Sequence, residues 1–390
     1  MKQITVVGGG LAGLIAACEV AEAGLPVRVL EARRRVGGRA TSTPAPYVAN
    51  LGPHALYSTT ELWAWLKRRG LHRPSRMPKS ARIHFGWEGE MHRLPPSALM
   101  PVRTLRKLDA PINADLRTWL TDHFGGDSAR AIAGMSGPLT FDHDPGRLSA
   151  AFVVERIRRI LLSPLPTARY VGGGWGSLVE RLAQYARSVG VTIDTGSPVE
   201  AGDLDDLAPT IVAVEPGAAR RLLGEPHLIA EAPRVALLDV ALRHRRGDPY
   251  VIFDLDGAPF VTRTTAVVPE LAPDGEELVQ LSVGLRPGED TDAGEARLEA
   301  VLDLAFTGWR DRLTWRRRAM VRESTGALDL PGSTWRDRTA IAYRDGVWLA
   351  GDWVAAPGHL AEVSCTSAVA AASAAIAPAT RSGRSAAHSR

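Results

Sequence analysis

Apolar positions begin almost at the first residue and change period early. Gln3–Val7 reads as a buried strand, a run of glycines follows, and Leu11–Ala23 is small and apolar nearly throughout, as in a helix packed on a sheet. Gly24 ends that helix and Val27–Glu31 forms a second strand, so the opening thirty residues make a strand–helix–strand crossover. Further on, Thr60–Arg69 and Pro111–Phe124 read as helices and Ala81–Leu94 as a hairpin. Leu148–Leu162 has the spacing of an amphipathic helix, with Phe152, Ile157, Ile160 and Leu161 on one side and Arg156, Arg158 and Arg159 on a basic face. Ser177–Val189 is another helix, followed by strands at Val191–Ile193 and Ile211–Val214. Val235–Leu242, Tyr250–Phe253, Phe260–Val268 and Leu278–Leu285 predict an antiparallel or mixed second sheet, and Ala293–Phe306 a helix. A short strand at Val347–Ala350 and an alanine-rich helix at Val363–Ile376 follow, and Ala379–Arg390 is polar enough to lack order.

The glycines between the first strand and helix have a specific spacing. Gly8-Gly9-Gly10-Leu11-Ala12-Gly13 satisfies Gly-x-Gly-x-x-Gly: Gly8 permits the tight turn, Gly10 lets backbone approach a pyrophosphate, and Gly13 allows helix and strand to touch. The helix N-terminus offers free N–H groups to phosphate oxygens. Glu31 closes the second strand, where a carboxylate accepts from ribose hydroxyls and disfavours a 2′-phosphate. Together these predict a dinucleotide site.

Bulk properties narrow the rest. A chain of 390 residues suits two domains, and 45% hydrophobic with 23% charged residues lies in the globular range. The two cysteines, Cys18 and Cys365, have no metal-ligand spacing, so neither a disulfide scaffold nor a metal site is expected. The net charge of +4 comes from scattered arginines without a nucleic-acid motif, so no nucleic-acid partner is expected. No run reaches the roughly eighteen apolar residues of a membrane span, and the first run breaks at glycines rather than at a cleavage site, which predicts a cytoplasmic protein. The basic helix, with Trp63, Trp65 and Trp87, leaves peripheral membrane contact as a less favoured expectation.

After Glu31 the chain continues Ala32-Arg33-Arg34-Arg35-Val36-Gly37-Gly38-Arg39, and here it resembles the flavin-containing amine oxidase and phytoene desaturase superfamily, which includes protoporphyrinogen oxidases. The resemblance implies FAD, with Ala32 and Arg33 near the adenosine and Gly37, Gly38 and Arg39 reaching phosphates and flavin. Asn50-Leu51-Gly52-Pro53-His54 resembles the segment that passes beside the flavin ring, Gly52 and Pro53 against it and His54 toward substrate as the candidate catalytic residue. Thr195–Val199 resembles the strand whose backbone, near Val199, clasps the adenine. Gly351-Asp352, followed by Glu362-Val363, resembles the closing strand and the helix whose N-terminus points at the flavin, with Asp352 on the ribityl chain or a phosphate-side hydroxyl. Tyr170–Leu178 resembles the family's glycine turn, but Ser177 breaks a second Gly-x-Gly-x-x-Gly and no NAD(P)H site is implied. The resemblance covers roughly residues 1–57, 168–225 and 340–377.

The implied fold class is α/β: a Rossmann-type FAD-binding domain of residues 1–57, 168–225 and 340–378, with an inserted α+β substrate domain of residues 58–167 and 226–339 and a tail at 379–390. The implied reaction is hydride transfer from a substrate C–H to non-covalent FAD by a dehydrogenase or desaturase, the substrate a small or apolar molecule, an isoprenoid-like one among the options, and the acceptor left open among oxygen, a quinone and others. No lysine follows Lys107, so the lysine that many amine oxidases use is missing, although an oxygen-using amine oxidase stays open. A flavin-binding partner without redox activity is the alternative from another class. Cys365 opens the final helix as a small residue rather than as a flavin attachment point.

Overall fold

The computed structural model describes residues 2–78, 82–228, 232–326 and 328–387. Its first layer is a six-stranded sheet built on strand β1 (Ile4–Val7), helix α1 (Leu11–Glu22) and strand β2 (Val27–Glu31). The two strands pair in parallel with Ile4 opposite Val27 and Val7 opposite Leu30. Strand β1 is buried at every position and nine of the twelve residues of α1 are buried, which is why neither alternates in polarity. Thr192–Thr195 extends the sheet beyond β2; Thr210–Val212, Val347–Leu349 and Ala342–Arg344 extend it beyond β1. The last helix, Ala361–Ala387, packs on α1 through Cys365, Ala368, Ala371, Ala372 and Ala375, all in one core with Leu14, Ile15 and Cys18. Small residues on both helices allow that close approach. The stretch Ala361–Pro378 is long and apolar enough to span a membrane, yet half of it is buried within the protein.

The second layer is a seven-stranded sheet in the order Leu313–Val321, Val235–Arg243, Glu276–Gly284, Phe260–Arg263, Val251–Asp254, Ile83–Trp87, Glu90–His92. Its neighbours are antiparallel except Val251–Asp254 with Ile83–Trp87, so the sheet is mixed. The helix Thr291–Ala305 covers one face through Leu298, Val301 and Leu302. A small three-stranded sheet of Leu56–Tyr57, Ala168–Val171 and Ser75–Arg76 stands apart from both.

Several expectations need correction. The basic face of Leu148–Leu162 is not a solvated surface: Arg156 is 2% exposed and lies over its own Phe152 ring, Arg158 donates to the carbonyls of Leu105 and Leu108, and Arg159 pairs with Glu362. That helix is α-helical at Ala150–Arg156 and widens into a π-helical turn at Ile157–Leu161. The helix expected from Ser177 starts at Gly174, and the segment from Pro111 becomes helical only at Leu116, where Asp115 caps it through the Thr118 N–H. The strand read as Phe260–Val268 stops at Arg263 and turns into a 3₁₀ helix at Thr264–Ala266. The last helix is assigned as far as Ala387, beyond Ala379 where the tail was expected to begin; the final three residues lie outside the described residues.

Candidate functional site

Chain segments far apart in sequence line one cavity of about 500 Å³, within the size range of cofactor and ligand sites. At one end stands the turn between β1 and α1. Gly8 has φ +106, and a Cβ there would lie 2.5 Å from the Ala213 carbonyl oxygen, so this turn tolerates no side chain. No side chain caps α1 at Gly10, which leaves the helix N-terminus and its positive dipole end open to the cavity along Leu11 and Ala12. Gly37 donates its N–H to the Gly9 carbonyl at 2.8 Å, and Gly38 faces Gly10 across the same gap. Two glycine turns are therefore locked together around one opening.

Glu31 faces this opening with 8% exposure and organises it. One carboxylate oxygen accepts the Gly9 N–H at 2.7 Å and the other accepts the Arg33 N–H at 2.8 Å. Each oxygen keeps a lone pair for a further donor. Ala32, Arg33 and, across from them, Ser197, Pro198 and Val199 complete that end, and the Ser197 N–H is held by the Glu31 carbonyl.

In the middle, Arg39 spans the cavity wall. Its guanidinium meets Asp352 at 2.5 Å and donates to the carbonyls of Glu323 and Ser324 at 3.0 and 2.8 Å. Asp352 also accepts the Gly326 N–H at 3.3 Å. The expectation that Asp352 is free for a ribityl chain is thereby modified, because its carboxylate is first a partner of Arg39. Gly351, with φ +149, sits beside it and is tied to Ser367 on the last helix. That helix begins at Ala361, two residues ahead of expectation, so Glu362 faces the cavity while Val363 turns into the core. Glu362 is held by the Glu61 N–H at 2.8 Å, the His359 N–H at 3.0 Å and Arg159 at 3.0 Å. Gly13 likewise does not face the cavity; it serves the contact between α1 and the Gly8 turn.

The far end is aromatic and apolar. Gly52 (φ +109), Pro53 and His54 line it together with Phe141, Trp175 and Leu237. His54 meets Trp175 edge-on at 5.8 Å and Phe141 at 6.2 Å between ring centroids. Loss of solvation is the main cause that lowers the His54 pKa to about 4, and the nearby Arg39 adds to it. At neutral pH this histidine is uncharged. The sign for stability follows: the unfolded chain takes up a proton below its ordinary value of 6.5 that the folded chain refuses until about 4. Stability is therefore expected to fall as pH drops through that window, and His54→Phe to flatten the fall, as read by thermal melts across it.

Phe141, Trp175 and Leu237 escape a motif-based reading. Trp175 carried a signal, standing within the glycine-rich turn Gly172–Gly176; Phe141, in a left-handed conformation at φ +58, carried none.

Residues 6–69 match the NAD(P)-binding Rossmann-like domain family. Over 56 residues the chain is 52% identical to the L-amino-acid oxidase of Crotalus adamanteus and to apoxin-1, an L-amino-acid oxidase of Crotalus atrox. Those matches take in 14% of this chain and 11% of either relative. Among solved structures, an oxidoreductase from Methanosarcina mazei superposes with a TM-score of 0.74 at 16% identity, covering 95% of this chain and 99% of the other. The cyclohexylamine oxidase from Brevibacterium oxydans superposes with a TM-score of 0.69 at 16% identity, covering 96% and 98%. A putrescine oxidase variant gives 0.68 at 16% identity, covering 96% and 99%. The chain has the fold of the amine oxidase superfamily that its motifs resemble.

Proposed function

We propose that the chain is an FAD-dependent oxidoreductase that binds its cofactor without a covalent bond and oxidises an uncharged, largely apolar substrate. The observation that carries this reading is the single cavity joining the Gly8–Ala12 turn, Glu31, Gly38–Arg39 and Gly351–Asp352 to an aromatic far end. The residues fit the cofactor. Uncapped N–H groups at α1 and an arginine suit a pyrophosphate, and Glu31 suits a ribose. The buried Trp175 indole N–H has no hydrogen-bond partner among the described residues and is a donor for a ligand acceptor.

FAD, when bound, supplies the two-electron acceptor that this chain lacks. The protein's own part is electrostatic and steric. The N-terminus of Ala361–Ala387 favours negative charge at its end of the cavity, and Arg39, fixed by Asp352, holds a positive charge midway. Pro138, Phe141, Val235, Leu237 and Val321 give the far end apolar walls that offer water no hydrogen-bond partner from their side chains. Neutral His54 can accept or donate one hydrogen bond there without adding charge. Two of the lining carboxylates, Asp352 and Glu362, are engaged by arginines, which supports an uncharged substrate over a diamine.

The fold shared with cyclohexylamine oxidase supports a second reading, oxygen-dependent oxidation of a hydrophobic amine. Hydrogen peroxide formed on adding apolar amines selects it; reduction of a quinone by apolar alkenes or alcohols without peroxide selects the first.

The cofactor claim is tested by absorption spectroscopy of purified protein with added FAD, before and after acid precipitation. Cys365 is 2% exposed in the core, and burial pushes its thiol up to about 12, so it stays protonated and unreactive at neutral pH. The expected result is flavin absorbance that leaves with the supernatant. Protein that takes up no FAD overturns the proposal, and colour kept in the pellet overturns its non-covalent part.

A further inference from the structure

We infer that Arg317 and Gln280 are positioning residues for the cavity wall, fixing the Gly52–His54 turn through the backbone carbonyl of Asn50. The inference rests on the proposed FAD site and extends it to three strands of the second sheet. Arg317, Asp239 and Gln280 lie directly opposite one another on Leu313–Val321, Val235–Arg243 and Glu276–Gly284. Asp239 is the single acid in its strand, flanked by apolar residues, and both it and Gln280 are fully buried. Arg317 donates to Asp239 at 2.7 Å through Nε and to the Asn50 carbonyl at 2.5 Å through Nη2. Gln280 donates to the same carbonyl at 3.1 Å and to the other Asp239 oxygen at 3.0 Å. A buried ion pair is costly to desolvate and contributes little net stability compared with apolar packing. The row holds a defined geometry instead.

Asn50 passes that geometry on. Its side-chain oxygen accepts the Trp175 N–H at 2.8 Å and the Ser42 hydroxyl at 2.8 Å, and Ser42 in turn accepts the Gly176 N–H at 2.9 Å. Four residues along the chain from Asn50 stands His54, whose turn is closed by its own N–H to the Gly52 carbonyl at 2.8 Å. Leu237, on the same strand as Asp239, packs within 3.6 Å of where a Gly52 side chain would be. His54 and Trp175, the facing rings of the far end, thus both hang from Asn50, while Asn50, Arg317, Gln280 and Asp239 do not themselves line the cavity.

The test uses the full chain with Arg317→Met, Arg317→Lys and Gln280→Leu. Two readouts that general destabilisation does not move are the visible circular dichroism of bound FAD and the His54 titration followed by NMR without FAD. Arg317→Met is expected to weaken FAD binding about tenfold, alter the flavin dichroism and move the His54 titration up from about 4 toward 6.5 as water enters. Arg317→Lys, which keeps a donor, is expected to recover much of both signals. Gln280→Leu leaves the ion pair intact and removes one donor to Asn50, so it carries the test if Arg317→Met fails to fold, with changes in the same direction. Unchanged dichroism and His54 titration, with a melting temperature lowered equally with and without FAD, overturn the inference. Wild-type protein that takes up no FAD sinks the proposed function alone, because the His54 titration still decides the positioning role.

Discussion

Gly13→Ala is expected to abolish FAD uptake and to cost about 2 kcal/mol or more of stability, the range in which overpacked cores fall. A Cβ at this position would sit 1.9 Å from the Gly8 carbonyl oxygen and 3.3 Å from the Val6 side chain. The first obstacle is backbone, so no rotamer change relieves it. The helix has to slide away from β1, and the movement opens the very turn whose N–H groups face the cavity. A control separates this from the ordinary effect of glycine replacement in a helix. Gly126 opens the helix Gly126–Met135 with nothing within 4 Å of where its Cβ would stand, and Gly126→Ala is expected to be neutral or stabilising by up to about 1 kcal/mol. Melting curves and FAD titration of the two variants side by side check both expectations. A Gly13→Ala protein that binds FAD like the wild type would show that α1 and β1 do not need this contact.

The second large effect is at Arg39. Arg39→Met is expected to lower stability by about 1–2 kcal/mol, below the range for breaking a fully buried pair because the Arg39 side chain is 29% exposed. Asp352 is 4% exposed, and without Arg39 it keeps, among the described residues, the long bond from the Gly326 N–H. The carbonyls of Glu323 and Ser324 lose their donor as well. Adding Asp352→Asn to Arg39→Met is expected to restore part of the loss, since it removes the stranded charge; chemical denaturation of the two single variants and the double variant measures the coupling. Simple additivity would mean that the pair contributes nothing beyond its separate members.

What the sequence discloses follows from how local each signal is. The crossover β1–α1–β2 is legible because buried parallel strands and their helix write long apolar runs bounded by glycines, and the same segment holds the glycine spacing and Glu31. Leu313–Val321 leaves no such trace: its arginines at 316, 317 and 318 sit on an edge strand where alternate positions face solvent or carboxylates, and Arg317 alone turns inward to Asp239. The helix Gly126–Met135 is equally silent, being short and rich in small residues. For the cavity, residues tied to backbone geometry could be read from spacing. Phe141 and Leu237 could not, because their place depends on how the second sheet meets the first, and no local pattern records that. The basic face of residues 148–162 misleads for a related reason. Long arginine side chains reach buried carbonyls and a carboxylate that lie elsewhere in the chain.

The cavity draws on both ends of the chain, the Gly8 turn near its start and Gly351–Glu362 near its close, joined by the docking of Ala361–Ala387 onto α1. During vectorial synthesis the first crossover emerges long before its partner helix, and loop closure over more than three hundred residues must precede any complete site. Under the proposed function, cofactor loading is thus a late event that waits for the last helix to dock on α1. Until then α1 presents an apolar flank of Leu14, Ile15 and Cys18 that the last helix will cover.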